Sequence, residues 1–577
     1  MIIKEKEQIT GDFIDDAVLR SVDDLEHHLR PEYRDSFGFQ NGSDETSKIF
    51  SDAHALFYKH LLNADSKIIN TVDDDVDGIM STSLLMKFMQ ELNCPIDLYI
   101  GKGKSHGFTK DAMEKIKNGG YTLVIATDSG SNDTEQHKEL VELGIDVLVI
   151  DHHEVSEENV ATIKNYDPEH CVVLNNQLLD FNKQYTGVGM TYQFLQSCNY
   201  YENMDLDLDK YLDIVALGQV ADVSDVSNPE IRYYVYKGLN NIVNPFIKAV
   251  MEHKSLDVLT GRDASFSIIS MCNAVARIGT VEEKKNLINA FTQDTNETVT
   301  ITKKKKNKFT GKFDKIEEEV SIYTNMVLEC EKIKRRQDKM VKDAMNNIET
   351  LQDEVVVLVH SQGTPTAING LIAMKLADKY KKPVLVTNNI YGDNIKGSAR
   401  CPYDFDFKQY LLDSYLMNYA QGHAQAFGWS ISIDDFEGLQ QYFNMHPIDH
   451  DPIHYVDKVF TKPEESDIIR VEVNKHIYGG KVEYAVFAYT GVSFNKFCIN
   501  KRGSMLTLFD NGVTFVMFNA TDKLYEELLS NMKNNFVSVD IVGEPRLSSF
   551  TGKTRAEVII KDIEITEEYE NEFGIDF

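Results

Sequence analysis

Three short apolar runs, each closed by an aspartate, constrain this chain more than any other feature. Residues 67–72 (KIINTV) lead into Asp73-Asp74-Asp75-Val76-Asp77-Gly78, residues 121–127 (YTLVIAT) into Asp128, and residues 146–150 (DVLVI) into Asp151-His152-His153. Between the runs, Ile79, Leu84, Leu85, Phe88 and Met89 recur at helical spacing, and residues 133–143 read as another helix. Strands alternating with helices predict a parallel α/β sheet with crossover helices. In an open sheet of that kind, ligands bind beyond the carboxyl ends of the strands, which is where these acids and imidazoles fall.

Carboxylates gathered so closely repel one another unless a cation holds them. Carboxylates with one or two imidazoles suit Mn²⁺ or Mg²⁺, with zinc a further option. Several carboxylates able to bridge point to two ions about 4 Å apart. Two plainer readings compete. Asp-x-Asp-x-Asp-Gly also opens an EF-hand loop, but that loop needs an acid at its twelfth position, which here is Leu84. A solvated acidic turn explains Asp73 to Asp77 alone, but not the same chemistry at two further strand ends.

The chain has 577 residues, too many for one hydrophobic core, so about three domains are expected. Residues 1–65 read as a polar, helix-leaning entry segment and 66–280 as the α/β domain just described. Residues 281–350 read as a charged connector, part long helix and part mobile basic loop around Lys303–Lys306 and Lys308. Residues 351–450 form a second, smaller α/β unit, with strands at 354–360 and 383–387 around a helix at 367–380. Residues 451–565, with turn signals at Gly479-Gly480, Asp510-Asn511-Gly512 and Thr551-Gly552-Lys553, predict a small β-barrel, and 566–577 an acidic tail.

The seven cysteines include no C-x-x-C pair, so reduced thiols are expected rather than a disulfide framework or zinc ribbon. Acidic residues outnumber basic ones 91 to 60, for a net charge of −31. That balance runs against a broad grip on duplex DNA. A nucleic-acid enzyme of this composition needs its basic side chains concentrated in a groove. No apolar run is long enough to span a bilayer and residues 1–12 lack a secretory pattern, so a cytoplasmic protein without a membrane partner is expected.

Two further segments complete the pattern. Val215 to Val223 (VALGQVADV) contains Asp222, and Thr186-Gly187-Val188-Gly189 forms a glycine-rich turn before it. With the three strand-end motifs, these resemble the ordered motifs of the DHH phosphoesterase family, named for the Asp-His-His segment. Asn273-Ala274-Val275-Ala276-Arg277, Gly397-Ser398-Ala399-Arg400, Gln421-Gly422-His423-Ala424 with Gly428, and the 537–563 end of the tail are similar to RecJ-type single-strand exonucleases within it. Residues 66–280 and 330–565 carry the likeness. Its divergence and brief N-terminal segment are those expected of a phage- or plasmid-borne relative.

The resemblance implies a metal-dependent exonuclease acting on single-stranded DNA, 5′ to 3′, by a two-metal mechanism, in recombination, repair or replication. Asp75 and Asp77 would hold one ion each, Asp128 would bridge, and His152 and Asp222 would complete the second site. The ions would be two Mn²⁺, with Mg²⁺ the alternative. His153 would contact the scissile phosphate, with Asp73 and Asp151 orienting ligands. Ser398 and Arg400 would grip the terminal phosphate, and Gly422, His423, Asn273 and Arg277 would be further substrate contacts.

There are departures. Thr71 stands where some members carry a histidine ligand, Cys401 replaces a serine, Gln421 replaces a glycine, and a Trp-His pair is missing near Thr364-Pro365. In the tail, Tyr484, Phe487, Tyr489, Phe494 and Phe497 are aromatic; alternation sends some inward, leaving one or two to stack on bases. Residues 564–577 resemble the partner-recruiting tail of single-strand-binding proteins, and read equally as a frayed end. A single-strand-binding protein or a helicase is the further partner expected, and the chain is expected to be a monomer. Two rival readings are a nano-RNase or cyclic-dinucleotide phosphodiesterase, and a RecJ-like single-strand clamp without catalysis.

Overall fold

The three apolar runs become neighbouring strands of one five-stranded parallel sheet. Its order is Asp97–Ile100, Ile68–Val72, Leu123–Thr127, Asp146–Asp151, Cys171–Asn175. Every residue of Ile68–Val72, Leu123–Thr127 and Asp146–Asp151 is buried, as expected of parallel strands covered on both faces. Connections leave Ile68–Val72 and Leu123–Thr127 toward opposite edges, so a crevice opens where their carboxyl ends part. The helix Val76–Glu91 starts at that point because Asp75 caps it, its side chain accepting from the Gly78 N–H at 3.1 Å. The helix is apolar almost all round because it also packs against Gly187–Tyr201 and Leu212–Ala221.

This computed structural model describes all residues except 24, 30–37, 103–105, 307–312, 347, 353–355, 362, 363, 392, 404, 449–452, 549–553 and 567–577. The tail from 567, the Thr551-Gly552-Lys553 turn, Lys308 and the first two residues of the strand expected at 354–360 lie outside the described residues. The chain divides into two compact units. One comprises Arg34–Ser224 and Tyr233–Asp449. Besides the parallel sheet, it contains a six-stranded sheet in the order Met417–His423, Ala426–Ser432, Asn394–Arg400, Val384–Tyr391, Val357–His360, Glu349–Gln352. The helix Asn369–Tyr380 crosses between the parallel pair Val357–His360 and Val384–Tyr391, giving the smaller α/β unit its expected strand–helix–strand start.

The connector differs from expectation. The helix Ile322–Asn346 is present, but Lys303–Lys306 lie in a strand, Thr298–Lys306, paired antiparallel with Phe313–Ser321. Thr, Val and Ile alternating through residues 298–302 supply the strand propensity that the following lysines mask.

The other unit comprises Met1–Tyr33, Asp225–Arg232 and His450–Phe577. Its sheet has seven strands in the order Lys458–Phe460, Phe487–Asn495, Phe536–Ser548, Arg555–Thr566, Val513–Met517, Met505–Asp510, Ile499–Arg502. The order is linear, with no hydrogen-bonded closure among the described residues, although inward residues from six of its strands share one core. Asn511 and Gly512 take φ of 45° and 85° and close the hairpin expected there. The entry segment expected at 1–65 divides between the units. Ile2–Glu5 pairs in parallel with Ile453–Val456, and Phe13, Ile14, Ala17 and Val18 sit in the seven-stranded core. Asp44–Leu61 belongs instead to the first unit, where Phe57 meets Phe194 edge-on with ring centroids 5.4 Å apart, a favourable aromatic geometry. No described helix is long and apolar enough to cross a membrane.

Candidate metal centre

Asp128 follows its strand with φ +65°, a left-handed conformation that aspartate tolerates, and its N–H donates to the Ile150 carbonyl at 2.8 Å. Three overlapping groups of donor atoms result, each within 4.8 Å: Asp73, Asp75 and Asp128; Asp77, His152 and Asp222; Asp128, His152 and His153. Asp128 and His152 are each shared by two of them. His152 Nε2 lies 3.2 Å from Asp128 Oδ1, 3.6 Å from Asp222 Oδ2 and 3.9 Å from Asp77 Oδ2. Asp222 arrives from the far side, at the C-cap of the helix Leu212–Ala221.

The electrostatics fit a divalent cation. Burial, then repulsion from Asp222 and Asp75, pushes Asp77 up to about 8, although Thr186 Oγ1 and the Gly187 and Val188 N–H groups all donate to it. Burial and the neighbouring aspartates raise Asp128 well above the ordinary range. Burial raises Asp222 to about 6, helped by Asp75, and raises Asp73 to about 6 against the opposing His106. Asp128 Oδ1 is buried and accepts no hydrogen bond among the described residues. A buried carboxylate oxygen without a donor, among carboxyls that hold protons near neutral pH, is a donor set matched to divalent cations.

The adjacent histidines are driven apart. Burial, then His153, lowers His152 to about 4, leaving a neutral imidazole fit to ligate. Burial would lower His153 too, but its hydrogen bond to Asp151 (Nδ1 to Oδ1, 2.8 Å) prevails and raises it to about 9. Asp151 is buried and held well below its ordinary value: burial raises it, but His153, His152 and the Ser131 side chain more than offset that, and the Ser131 N–H donates to its Oδ2 at 3.1 Å. Its Oδ1 also accepts from the His152 and His153 N–H groups, fixing the backbone of the pair. Thr71, at the departure noted in the sequence, is buried, with its hydroxyl toward the Ile125 carbonyl at 3.5 Å.

A basic wall faces the acids. Burial lowers the pKa of Arg277, while the charge of Asp75 opposes that; burial also lowers Arg400, and Arg277 repels it. His423 in turn lowers Asp222. Asn273 precedes Arg277 by one turn of the helix Ser270–Ile278, and Ser398 shares a strand face with Arg400. Arg400 fits because Gly370 lacks a side chain: a Cβ there would lie 2.8 Å from its Nη2. Gly397 likewise admits the buried Trp429, whose Nε1 a Cβ would approach to 2.9 Å. Gly422 has φ +129° and its carbonyl accepts from Lys408 Nζ at 2.9 Å. No described contact joins Asn273, Ser398 or Gly422 to the carboxylates.

Other residues at the site give no motif signal. His106 Nδ1 lies 2.9 Å from both oxygens of Asp73. Lys284, buried on the helix Val281–Thr292, donates to Asp74 at 2.5 Å from a sequence distance of 210 residues. Gly187 and Gly218 are required by contact: a Cβ would come within 2.3 Å of Asp128 Oδ1 at one and 2.5 Å of Asp77 Oδ1 at the other.

Known proteins resemble this chain in sequence and in fold. Residues 67–219 match the model of the DHH family, N-terminal domain. The chain is 29% identical over 538 residues to the putative SPbeta prophage-derived single-strand DNA-specific exonuclease YorK of Bacillus subtilis, covering 87% of this chain and 88% of that one. It is 24% identical over 540 residues to the single-stranded-DNA-specific exonuclease RecJ of Bacillus subtilis, covering 88% of this chain and 62% of that one. The crystal structure of RecJ in complex with Mn²⁺ from Thermus thermophilus superposes with a TM-score of 0.67 at 18% identity, over 99% of this chain and 80% of that one.

Proposed function

We propose that this chain, with its DHH-family N-terminal domain and RecJ-like fold, is an exonuclease that hydrolyses phosphodiester bonds of single-stranded DNA. In this reading it works 5′ to 3′ with two divalent cations, in recombination, repair or replication. One observation supports this above the rest. Arg277 and Arg400, both partly buried, repel each other beside carboxylates that also repel each other. Cations relieve the second repulsion and an anion the first, and a phosphodiester bound between them serves both needs. The names of the Bacillus relatives support single-stranded DNA as the substrate.

Asp75, Asp77, Asp128, His152 and Asp222 would hold two Mn²⁺, or Mg²⁺ in their stead. Such ions lower the pKa of a bound water and compensate charge on the attacking and leaving oxygens. The chain's own groups do the rest. His152 is neutral and offers Nε2. His153 is protonated at neutral pH and meets a non-bridging phosphate oxygen through Nε2–H, with Asp151 holding its Nδ1–H. Arg277 and Arg400, with Ser398 beside them, take the terminal phosphate, and His423 faces the same cleft.

The test is digestion of end-labelled single strands with Mn²⁺, Mg²⁺ or EDTA, beside Asp128→Ala. Stepwise loss of 5′ nucleotides with a divalent cation, absent in EDTA and in the variant, is the expected result. Activity surviving Asp128→Ala overturns the two-metal assignment. Cleavage of dinucleotides alone makes the protein a nano-RNase or cyclic-dinucleotide phosphodiesterase, and binding without cleavage makes it a clamp.

A further inference from the structure

The helix Ser270–Ile278, which carries Asn273 and Arg277, is entered through a wide turn. Ser265–Ile269 is π-helical and follows the short helix Gly261–Ala264. Single π-turns inside α-helices occur frequently at functional sites. Side chains hold this one in place. Thr260 and Asp263 form a capping box, the Ser265 hydroxyl donates to the Gly261 carbonyl at 2.9 Å, and the Ser270 hydroxyl donates to the Phe266 carbonyl at 2.6 Å. Between residues 268 and 276, Ser270 and Asn273 alone escape burial. Phe266, Ser270, Asn273 and Arg277 fall at i, i+4, i+7 and i+11, one face of a helix. At one end of that stripe Arg277 lies within the field of Asp75. At the other, Phe266 is 72% exposed, with the Arg262 guanidinium 5.9 Å from its ring centroid. The helix Leu212–Ala221, which ends at Asp222, packs against both Gly261–Ala264 and Ser265–Ile269, and Val220 stands 3.8 Å from where a Gly261 Cβ would lie. The stripe therefore runs beside the metal centre.

We infer that Phe266, with Arg262 beside it, is a platform on which one unpaired base of the substrate strand stacks while the end of that strand lies at the metal centre. The inference rests on the nuclease reading above. A lone exposed phenylalanine is ordinary on a protein surface. Phe266 differs because a braced turn fixes its backbone, a cation lies against its ring, and a partly open helix face links it to Arg277. Ring and guanidinium together offer a base a π-face and the adjoining phosphate a positive charge. From Arg277 to Phe266 the helix spans roughly 16 Å, at 1.5 Å per residue. A stacked strand covers that distance in about five nucleotides at 3.4 Å each, and an extended strand in fewer. Asn273, between the two ends, offers its amide to the intervening backbone. Every base has a π-face, so the platform accepts any sequence, as an enzyme that removes successive nucleotides requires. Internal base pairs of a duplex stack on one another and present no free face, so the platform favours single strands.

The experiment uses the full chain, its Phe266→Ala and Phe266→Trp variants, and end-labelled single strands carrying one abasic nucleotide at each position in turn from the second to the sixth. With Mn²⁺, KM and kcat are read from release of the first nucleotide. Phe266→Ala should raise KM about tenfold and leave kcat unchanged, as loss of one stacked base from uniform binding does. In the parent, an abasic nucleotide at one of the positions should raise KM by the same factor. On that strand Phe266→Ala should add nothing further, because both changes remove one contact. Phe266→Trp should keep KM at the parent's level or below it, and both variants should melt with the parent, since the side chain is exposed. An unchanged KM in Phe266→Ala, a Phe266→Ala effect that persists on every abasic strand, or a loss that Phe266→Trp does not restore overturns the inference. Binding of the same strands in EDTA, read by fluorescence anisotropy, separates the two readings. A parent whose binding shows this pattern but which digests no strand with Mn²⁺ refutes the nuclease reading alone.

Discussion

Without a divalent cation, the site should destabilise the fold as pH rises. Asp77 is buried, with its pKa pushed from 3.8 up to about 8 by burial and by Asp222 and Asp75. In the unfolded chain it ionises near its ordinary value. Between those values the folded state holds a proton that the unfolded state has released, so stability falls as pH climbs and levels off above about 8. Each pH unit costs about 1.4 kcal/mol, so Asp77 alone removes on the order of 3 kcal/mol between pH 6 and pH 8. For a unit this large, that lowers the melting temperature by roughly 3 °C. A bound cation takes the proton's place, so Mn²⁺ should abolish the fall and bind more tightly at pH 8 than at pH 6. The assay is a set of thermal melts from pH 6 to 8.5 with EDTA or Mn²⁺. Metal-free melts flat across that range, or an equal fall with Mn²⁺ present, would refute the account of the cluster as carboxyls crowded for want of a cation.

Four changes of sequence probe the same centre. Asp128→Asn keeps the left-handed backbone, removes one acid and adds a donor toward the other carboxylates, so its metal-free melting temperature at pH 8 should exceed the parent's while the Mn²⁺-induced rise disappears; calorimetry reads both. His153→Gln should slow cleavage about 10²- to 10³-fold, as loss of a preorganised charge-stabilising donor does, and should remove the alkaline decline expected near pH 9 in the parent's rate profile. Gly218→Ala brings a methyl group within 2.5 Å of Asp77 Oδ1, so Mn²⁺ affinity, measured by titration calorimetry, should fall at least tenfold. Lys284→Met removes the buried ammonium that donates to Asp74, and urea unfolding should show a loss of about 1–3 kcal/mol.

The metal-facing acids were legible because each follows an apolar strand run, so local sequence and the geometry of a parallel sheet are enough to gather Asp75, Asp77, Asp128 and His152. Lys284 and His106 were not legible. They reach Asp74 and Asp73 from separate elements, and no spacing rule links them. Among the tail aromatics, a register shift between Tyr489 and Val492 decided which rings face inward. Phe487 and Tyr489 share one parity, Val492 and Phe494 the other, and all four enter the core because Gly491, at φ +64°, absorbs the extra residue. Phe497 is the ring left outside, 93% exposed. Strict alternation would have turned Phe494 outward.

The parallel pairing of Ile2–Glu5 with Ile453–Val456 has a consequence for synthesis. The first strand made must wait for a partner some 450 residues later, on the order of half a minute to a minute and a half at ribosomal rates of 5–20 residues per second. Through that interval, Phe13, Ile14 and Val18 have no core to enter, since the strands that bury them, from Phe487 to Ile560, are not yet made. The unit bearing the metal centre can complete itself earlier in synthesis, since its last segment ends at Asp449. Nascent chains of this protein are therefore expected to expose the apolar segment around Phe13–Val18 until residues 487–560 emerge, making that segment a natural client for a holding chaperone and the first place for a stalled chain to be cut.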